Sequence, residues 1–519
     1  MSKKILCLIL TLALLATCFV GCADKGESKK ESSSTPESSA AESSETQSSD
    51  TGDKTTDEEP YTVHFAYYIA KESPNMGALS DAVNELAMKE LNMKVDLQAL
   101  TQGTYHQQIP MMLAAGEPMD VFISRASEVG TFIESQYILD CTPYLDKMEN
   151  AKAALGDDIQ ACYIGDFLAG FGSMAERATP GAMVVRKDIF DELGFKKEDF
   201  DYTLPNMGVL DQITEMYAKV KEKYPDMICF DGTAVPASCA FCFVDNLSSS
   251  FGVLETPEST TVVNWFETDM YRRLCEAAME WYNKGYSSKD IAVNTDGGDV
   301  KMKGGNCFSY FQSWKPGVET EKKSQTGYDV EMIQLIDAPK TSYNVNTRLW
   351  SIANSSEDPE KAAQFLDWTY KSGEFTDLIN WGVPGTDWVL NDDGQADYPE
   401  GVTAATVGYH NDKGFSYPNQ FNGTLWAGAP KDLWEQYETW HATLKESAAF
   451  GFAFNSMPVA TEMATLQTVY DKYQKTVGFG TLPDLDAAIQ EFNDALYEAG
   501  LQKVLDEKQK QLDEWLANK

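Results

Sequence analysis

The sequence predicts an α/β protein of two lobes with a helical C-terminal region. Three observations carry this. Segments with strand and helix periodicity alternate from residue 61 to residue 124. The chain beyond an early polar stretch runs to about 460 residues, more than one hydrophobic core accommodates. From Leu485 to Trp515, apolar residues recur at helical spacing, interrupted at Gly500.

The elements follow in order. Tyr61 to Ala66 alternates Tyr, Val and Phe with Thr, His and Ala, the period of a strand. Asn75 to Leu91 carries Leu79, Val83, Leu86, Ala87 and Leu91 on one helical face. Lys94 to Leu100 returns to alternation, and Tyr105 to Ala115 is helical until Gly116-Glu117-Pro118 stops it. Asp120 to Ser124 is a short apolar run suited to a buried parallel strand. This is the α/β pattern, in which ligands bind beyond the carboxyl ends of strands. Further strands are expected at Gly181–Arg186, Asn306–Gln312 and Asp329–Leu335. Helices are expected at Lys187–Leu193, Leu210–Tyr224 and Met270–Lys284. Asp358-Pro359 opens another, because Asp caps free amides and Pro at the first helical position forfeits no hydrogen bond.

The N-terminus has a different character. Lys3 and Lys4 precede an uncharged stretch from Ile5 to Val20, short for a bilayer span and suited to a secretory signal. Gly21-Cys22 then resembles a bacterial lipoprotein cleavage site, with Phe19 where Leu is usual; Leu15-Ala16-Thr17-Cys18 is the competing match. Cys22 is the expected lipidation site, because the polar segment starts directly after it. Ala23 to Pro60 is Ser, Glu, Asp, Thr and Lys with almost no large apolar residue, a composition that stays disordered. As a coil it would reach about 35 Å. The protein is therefore expected on the outer face of the cell membrane, held by lipid.

The net charge of −38 excludes nucleic acid and anionic lipid as partners of the body. Cys141, Cys162, Cys229, Cys239, Cys242, Cys275 and Cys307 do not form a disulfide framework by spacing, and buried free thiols are expected. Cys239-Ala-Phe-Cys242 lacks a second CxxC, and neither metal nor cofactor is called for. Asn294–Asp299 and Asn391–Asp397 are acidic clusters that miss the twelve-residue calcium-loop pattern and read as Asx-Gly turns.

Several segments, in order, resemble the family 1 extracellular solute-binding proteins of sugar-type ABC transporters, and within it the Firmicutes lipoprotein branch with a distinctive C-terminal domain. They are Met112–Phe122, Val184–Gly194, Ser356–Trp368, Trp381–Trp388 and Gly500–Leu516. The resemblance implies a periplasmic-binding-protein-like fold of class II type, two α/β lobes joined by crossing hinge segments and closing on a ligand. It implies a permease as partner, and a monomer is expected. The boundaries expected are a signal peptide at 1–21 and a tether at 22–60. The first lobe is expected at 61–180, the second at 181–305, a return to the first at 306–350, and the remainder of the second with the helical region at 351–519.

Sugar rings offer apolar faces to aromatic side chains and hydroxyls to polar ones. Trp314, Trp350, Trp381 and Trp388 sit at turn signals and are candidate platforms. Ser124 and Arg125, at the end of a predicted strand, are candidate polar contacts, with Arg348 beside Trp350 and with Tyr67 and Tyr68 after the first strand. Trp368 and Trp515 are assigned to core. Binding without catalysis is the expected activity, because the chain has no Gly-x-Ser-x-Gly elbow, HExxH or P-loop. The alternatives are a glycan-cleaving surface enzyme and the same fold binding a peptide or another solute.

Overall fold

The computed structural model describes residues 59–519. The signal, the tether and Cys22 lie outside the described residues. Strand β1 (Tyr61–Ile69) and strand β2 (Met93–Thr101) pair in parallel, joined by helix α1 (Met76–Leu91). Asn92 ends α1 in the left-handed conformation (φ 53°), which Asn tolerates better than most residues. Helix α2 (Tyr105–Ala115) leads to strand β3 (Val121–Ser124), parallel to β1, and helix α3 (Ala126–Glu134) follows at once. Strand β4 (Phe171–Gly172) completes this sheet together with a strand that returns much later, Leu349–Ile352. The order is β2-β1-β3-[349–352]-β4, and the late strand is antiparallel to both its neighbours.

A second sheet is built from β5 (Gly181–Arg186), β6 (Ile228–Phe230), β7 (Cys307–Ser313) and β8 (Val330–Gln334), in the order β8-β5-β7-β6. Helix α4 (Val209–Lys223) and helix α5 (Asp269–Asn283) cover it, and Leu210, Ile213, Tyr217, Leu274 and Trp281 are buried in its core. The late strand of the first sheet is β9 (Leu349–Ile352). These two lobes, with helices at the C-terminus, are the α/β class the sequence predicts.

The expected chain path needs correction in two places. Residues 306–350 do not return wholesale to the first lobe: β7 pairs with β5 and β6, and β8 pairs with β5. Only β9 rejoins the first sheet. Nor does everything after 351 belong to the second lobe. Helix α6 (Pro359–Thr369), started by Asp358 accepting from the Lys361 amide at 3.1 Å, and helix α7 (Gly373–Trp381) bury Phe365, Leu366, Phe375 and Ile379 in the first core. The second core regains the chain from Ala449 and takes up Leu466, Phe492, Leu501 and Leu512. These come from helices α9 (Ala460–Gly478), α10 (Leu485–Glu498) and α11 (Leu501–Asn518), while α8 (Leu433–His441) precedes them. Gly500, at φ 100°, makes the break between α10 and α11.

Three segments pass between the lobes: 173–180, 335–348 and the stretch around 447–455. They bond to one another. The Gly451 amide donates to Ser342 Oγ at 2.9 Å, the Ser447 amide to the Lys340 carbonyl at 3.0 Å, and Asn344 Nδ2 to Thr179 Oγ1 at 3.5 Å. Asp158 ties two of them together, pairing with both Arg177 and Lys340 at 2.5 Å.

Candidate functional site

The strand ends set the geography. β1 and β3 finish at the same edge of the first sheet, and β9 begins there, because Leu349 lies opposite Ser124. This edge carries Tyr68, Arg125 and Arg348. In the second sheet β5 begins and β7 ends together, Gly181 opposite Ser313, which places Trp314 beside the first crossing segment. The Trp314 amide donates to the Pro180 carbonyl at 2.7 Å.

The structure separates the candidate residues into two groups. Tyr67, Ser124 and Trp350 have no exposed surface. Trp350 stacks on Phe65 at 4.8 Å, and its indole N–H donates to the Ser416 carbonyl at 3.0 Å. Ser124 Oγ bonds Ser351 Oγ at 2.7 Å, and the Tyr67 hydroxyl lies 3.4 Å from that of Tyr409. Trp381 and Trp388 belong to a small separate cluster with Ala396 and Trp426. Their indoles donate to the carbonyls of Thr424 and Gly382, both at 2.9 Å. Packing and satisfied hydrogen bonds account for all five, a correction to their reading as ligand platforms and contacts. The reason is that a turn in sequence is not a surface position when another layer covers it. Trp is also buried on average.

Arg125, Arg348 and Trp314 keep access to solvent, and Tyr68 sits just beneath. Arg125 is the residue before α3, and its amide donates to Glu128 at 3.0 Å. Glu128 also pairs with His106, whose other ring nitrogen meets the Tyr68 hydroxyl. Burial pushes the Tyr68 hydroxyl up to about 12, against the pull of Arg125 and Arg348. Arg348 lies 3.9 Å from Glu176 and over the Phe415 ring at 5.1 Å. Glu176 is also 3.1 Å from Lys315, which reaches Glu321 at 3.1 Å. Burial works against both charges of the Lys315–Glu321 pair; even so, Lys315 and Lys322 hold Glu321 down to about 2, and Glu176 raises Lys315. Trp314 meets Trp440 edge-on at 5.2 Å. This rim is charged and aromatic and carries several internal ion pairs, while Arg348 Nε has no hydrogen-bond partner among the described residues.

Beside it lies a cavity of about 440 Å³ at the junction of the lobes. Ser127 enters from the first lobe, two residues beyond Arg125. Tyr343 comes from the second crossing segment and Phe454 and Ser456 from the third. The second lobe supplies Ser238, Phe241, Asn246 and the run Ser248-Ser249-Ser250-Phe251. Helix α9 adds Met463, Gln467 and Tyr470. Phe241 and Tyr343 pack at 5.6 Å. Two wall groups have no hydrogen-bond partner among the described residues: Ser238 Oγ and Asn246 Oδ1, on residues 9% and 4% exposed. Both atoms are closed off from solvent, so they lie behind the cavity surface, and what faces the cavity is the remaining polar and aromatic surface of the wall. Within the same run Leu247 and Ser248 stand at φ 44° and 71°, a left-handed conformation uncommon for non-glycine residues.

Sequence reasoning missed this wall. Its one linear signal is the polar run Asn246–Ser250 inside an otherwise apolar stretch, and its other members converge from distant segments. The buried cysteines nearby are held as protonated thiols. All seven among the described residues are free, and burial pushes Cys242 well above a reactive range, as it pushes Cys229 and Cys275 to about 12. The two acidic clusters are Asx turns: Asn294 Oδ1 accepts from the Asp296 amide and Asn391 Oδ1 from the amides of Asp393 and Gln395, all at 3.0 Å.

Residues 70–374 match the family model described as bacterial extracellular solute-binding protein, and residues 448–517 match a domain of unknown function, DUF3502. A carbohydrate ABC transporter substrate-binding protein of Streptococcus pneumoniae is 22% identical over 495 residues, covering 90% of this chain and 93% of its own. The crystal structure of the N-glycan transport solute binding protein of S. pneumoniae has a TM-score of 0.74 at 20% identity, covering 88% of this chain and 99% of the other. The S. pneumoniae substrate-binding protein FusA, solved with kestose, has a TM-score of 0.60 at 14% identity, covering 88% and 100%.

Proposed function

Because the chain belongs to the bacterial extracellular solute-binding protein family, we propose that it captures an oligosaccharide between its lobes and delivers it to an ABC permease without altering it. The observation that carries the reading is the junction cavity, in which hydroxyls and amides alternate with the rings of Phe241, Tyr343, Phe454 and Tyr470. Sugars require that mixture: rings to cover C–H faces, and short polar groups to bond the rim. The names of the relatives support it, since one is a carbohydrate transporter component and another was solved with Man5GlcNAc.

Ser127, at the head of α3, faces residues of the second lobe across the cavity. A ligand that touches both sides stabilises their approach, so that capture and closure are one equilibrium. Arg125, Arg348 and Trp314 stand at the rim as outer contacts for a longer glycan. Lipidation at Cys22 would keep the trap beside the permease, and the polar segment after it would supply the reach. Among the described residues no helix is long and apolar enough to cross a membrane.

Thermal denaturation against oligosaccharides, peptides and ions tests the reading. A ligand at a hundred times its Kd should add about 2.7 kcal/mol of stability. Glycans should raise the melting temperature in proportion to the logarithm of concentration, and chromatography of the same mixtures should show them uncut. A shift with peptides alone would refute the carbohydrate reading, and products accumulating at a turnover rate would refute capture without chemistry.

A further inference from the structure

We propose that Lys508, on the last helix, is a positioning residue of the cavity: its amine pins the main chain of residues 246–252, and the C-terminal domain thereby holds one wall of the ligand site. The proposal rests on the junction cavity being that site.

Lys508 has no exposed surface, although it lies on a helix whose other lysines reach solvent. Its Nζ donates to the carbonyls of Asn246 at 3.3 Å, Ser249 at 3.1 Å and Gly252 at 2.8 Å, and lies 3.0 Å from Ser249 Oγ. The segment bends around one amine. Burial lowers Lys508 to about 7, so near neutral pH the amine is part-charged, and it is as a multiple hydrogen-bond donor that it matches a ring of carbonyl oxygens. No carboxylate neutralises it directly. The nearest acid, Asp245, is itself buried and uses Oδ1 to accept from the Leu247 amide at 3.0 Å.

The carbonyls of Asn246 and Ser249 meet Lys508, and both residues also border the cavity. Asn246, Ser248, Ser249, Ser250 and Phe251 are all wall residues. The left-handed backbone at Leu247 and Ser248 lies within this loop, and such a bend persists only where its surroundings hold it. Gly252 closes the loop at φ 106°, and a Cβ there would meet Val262, Leu505 and Lys508 at 2.9–3.1 Å. Phe454, another wall residue, lies 5.3 Å from the amine. Residues 448–517 therefore contribute Phe454, Ser456, Met463, Gln467 and Tyr470 to the wall directly, and Lys508 to the shape of the rest.

The test compares the full chain with Lys508→Met, Lys508→Gln and, as a control on the same helix, Lys503→Met, whose lysine makes a surface pair with Glu462. Hydrogen exchange of the ligand-free proteins is read first. Amides of 246–252 should exchange at least tenfold faster in Lys508→Met, while α11 and the second sheet stay protected. Calorimetry with Man5GlcNAc and kestose as probes should then show at least a tenfold loss of affinity for the probe the wild type binds. Lys508→Gln, which keeps a donor, should fall between, and it carries the test if the methionine variant does not fold. Lys503→Met should match wild type. Unchanged exchange at 246–252 in a folded variant would overturn the proposal. So would affinity within twofold of wild type, or exchange that rises along all of α11 as general loosening. If the wild type binds neither probe, the exchange measurement still decides whether Lys508 sets the loop, and the thermal screen decides the carbohydrate reading separately.

Discussion

The rim and the wall of the junction differ in how their polar groups are treated. At the rim, Glu176 meets Lys315 and Arg348, Glu128 meets His106, and Lys315 also meets Glu321. On the wall the polar groups are neutral, the hydroxyls and amides of Ser238, Asn246 and the serines at 248–250, beside a left-handed backbone. Paired charges in a half-buried setting serve the protein's own architecture. Neutral hydroxyls and amides set among the rings of Phe241, Tyr343, Phe454 and Tyr470 leave a surface that a sugar can use. Of the two regions the less conspicuous one in sequence, a run of serines, is therefore the stronger candidate for ligand contact.

The largest effect that would break this contrast is at Trp350, which belongs to neither region. Trp350→Ala should destabilise the fold by about 3–5 kcal/mol, as large aromatic truncations in cores do, seen as a lower denaturant midpoint. Survival at wild-type stability with binding abolished would restore Trp350 as a platform. Next comes the rim. Glu176→Gln leaves the half-buried Lys315 with Glu321 alone and Arg348 without its carboxylate, and should cost about 1–2 kcal/mol in stability. It should change ligand affinity much less. The wall should behave in the opposite way. Asn246→Ala removes an acceptor that is unpaired in the free protein, so stability should hold or rise, while glycan affinity falls by about 1–3 kcal/mol in calorimetry. A variant that loses stability and keeps affinity would reverse the assignment of the two regions.

The pH dependence should be the smallest effect. Burial holds His410 and His441 down to about 4, against an ordinary 6.5. The Arg177 amide donates to His441 Nε2 at 3.2 Å, a bond that requires that nitrogen unprotonated. The unfolded chain takes up these protons near pH 6.5 and the folded chain only near 4. Stability is therefore fully present above pH 6.5 and falls across that window. Asp412 acts the other way: burial pushes it up to about 6, so it favours the fold as pH drops. One acid offsets part of two histidines. Melting temperature should fall between pH 7 and pH 4.5, and His441→Gln should flatten the curve.

Much of the fold was legible. Tyr61–Ile69, Met93–Thr101, Tyr105–Ala115 and Gly181–Arg186 match the patterns that predict them closely, because periodicity reports which face is buried. Asp358-Pro359 and Gly500 mark helix ends through local backbone chemistry. The lobe assignment after residue 305 was not legible, since a strand's own pattern does not say which sheet it will join. The candidate site was least legible of all. Trp350 and Trp381 stand near turn signals, yet Phe65 covers one and Trp426 and His410 pack on the other.

The sequence by itself determined the α/β class, most element boundaries, the character of the N-terminal segment and the resemblance to solute-binding proteins. These depend on neighbours within a few residues, or on composition. Only the tertiary structure decided which tryptophans are core, where Ser127 and Phe454 meet the serine run, and that a lysine near the C-terminus grips residues 246–252. Those facts join residues hundreds of positions apart, and burial and hydrogen bonding at such distances are set by how layers stack rather than by any local pattern.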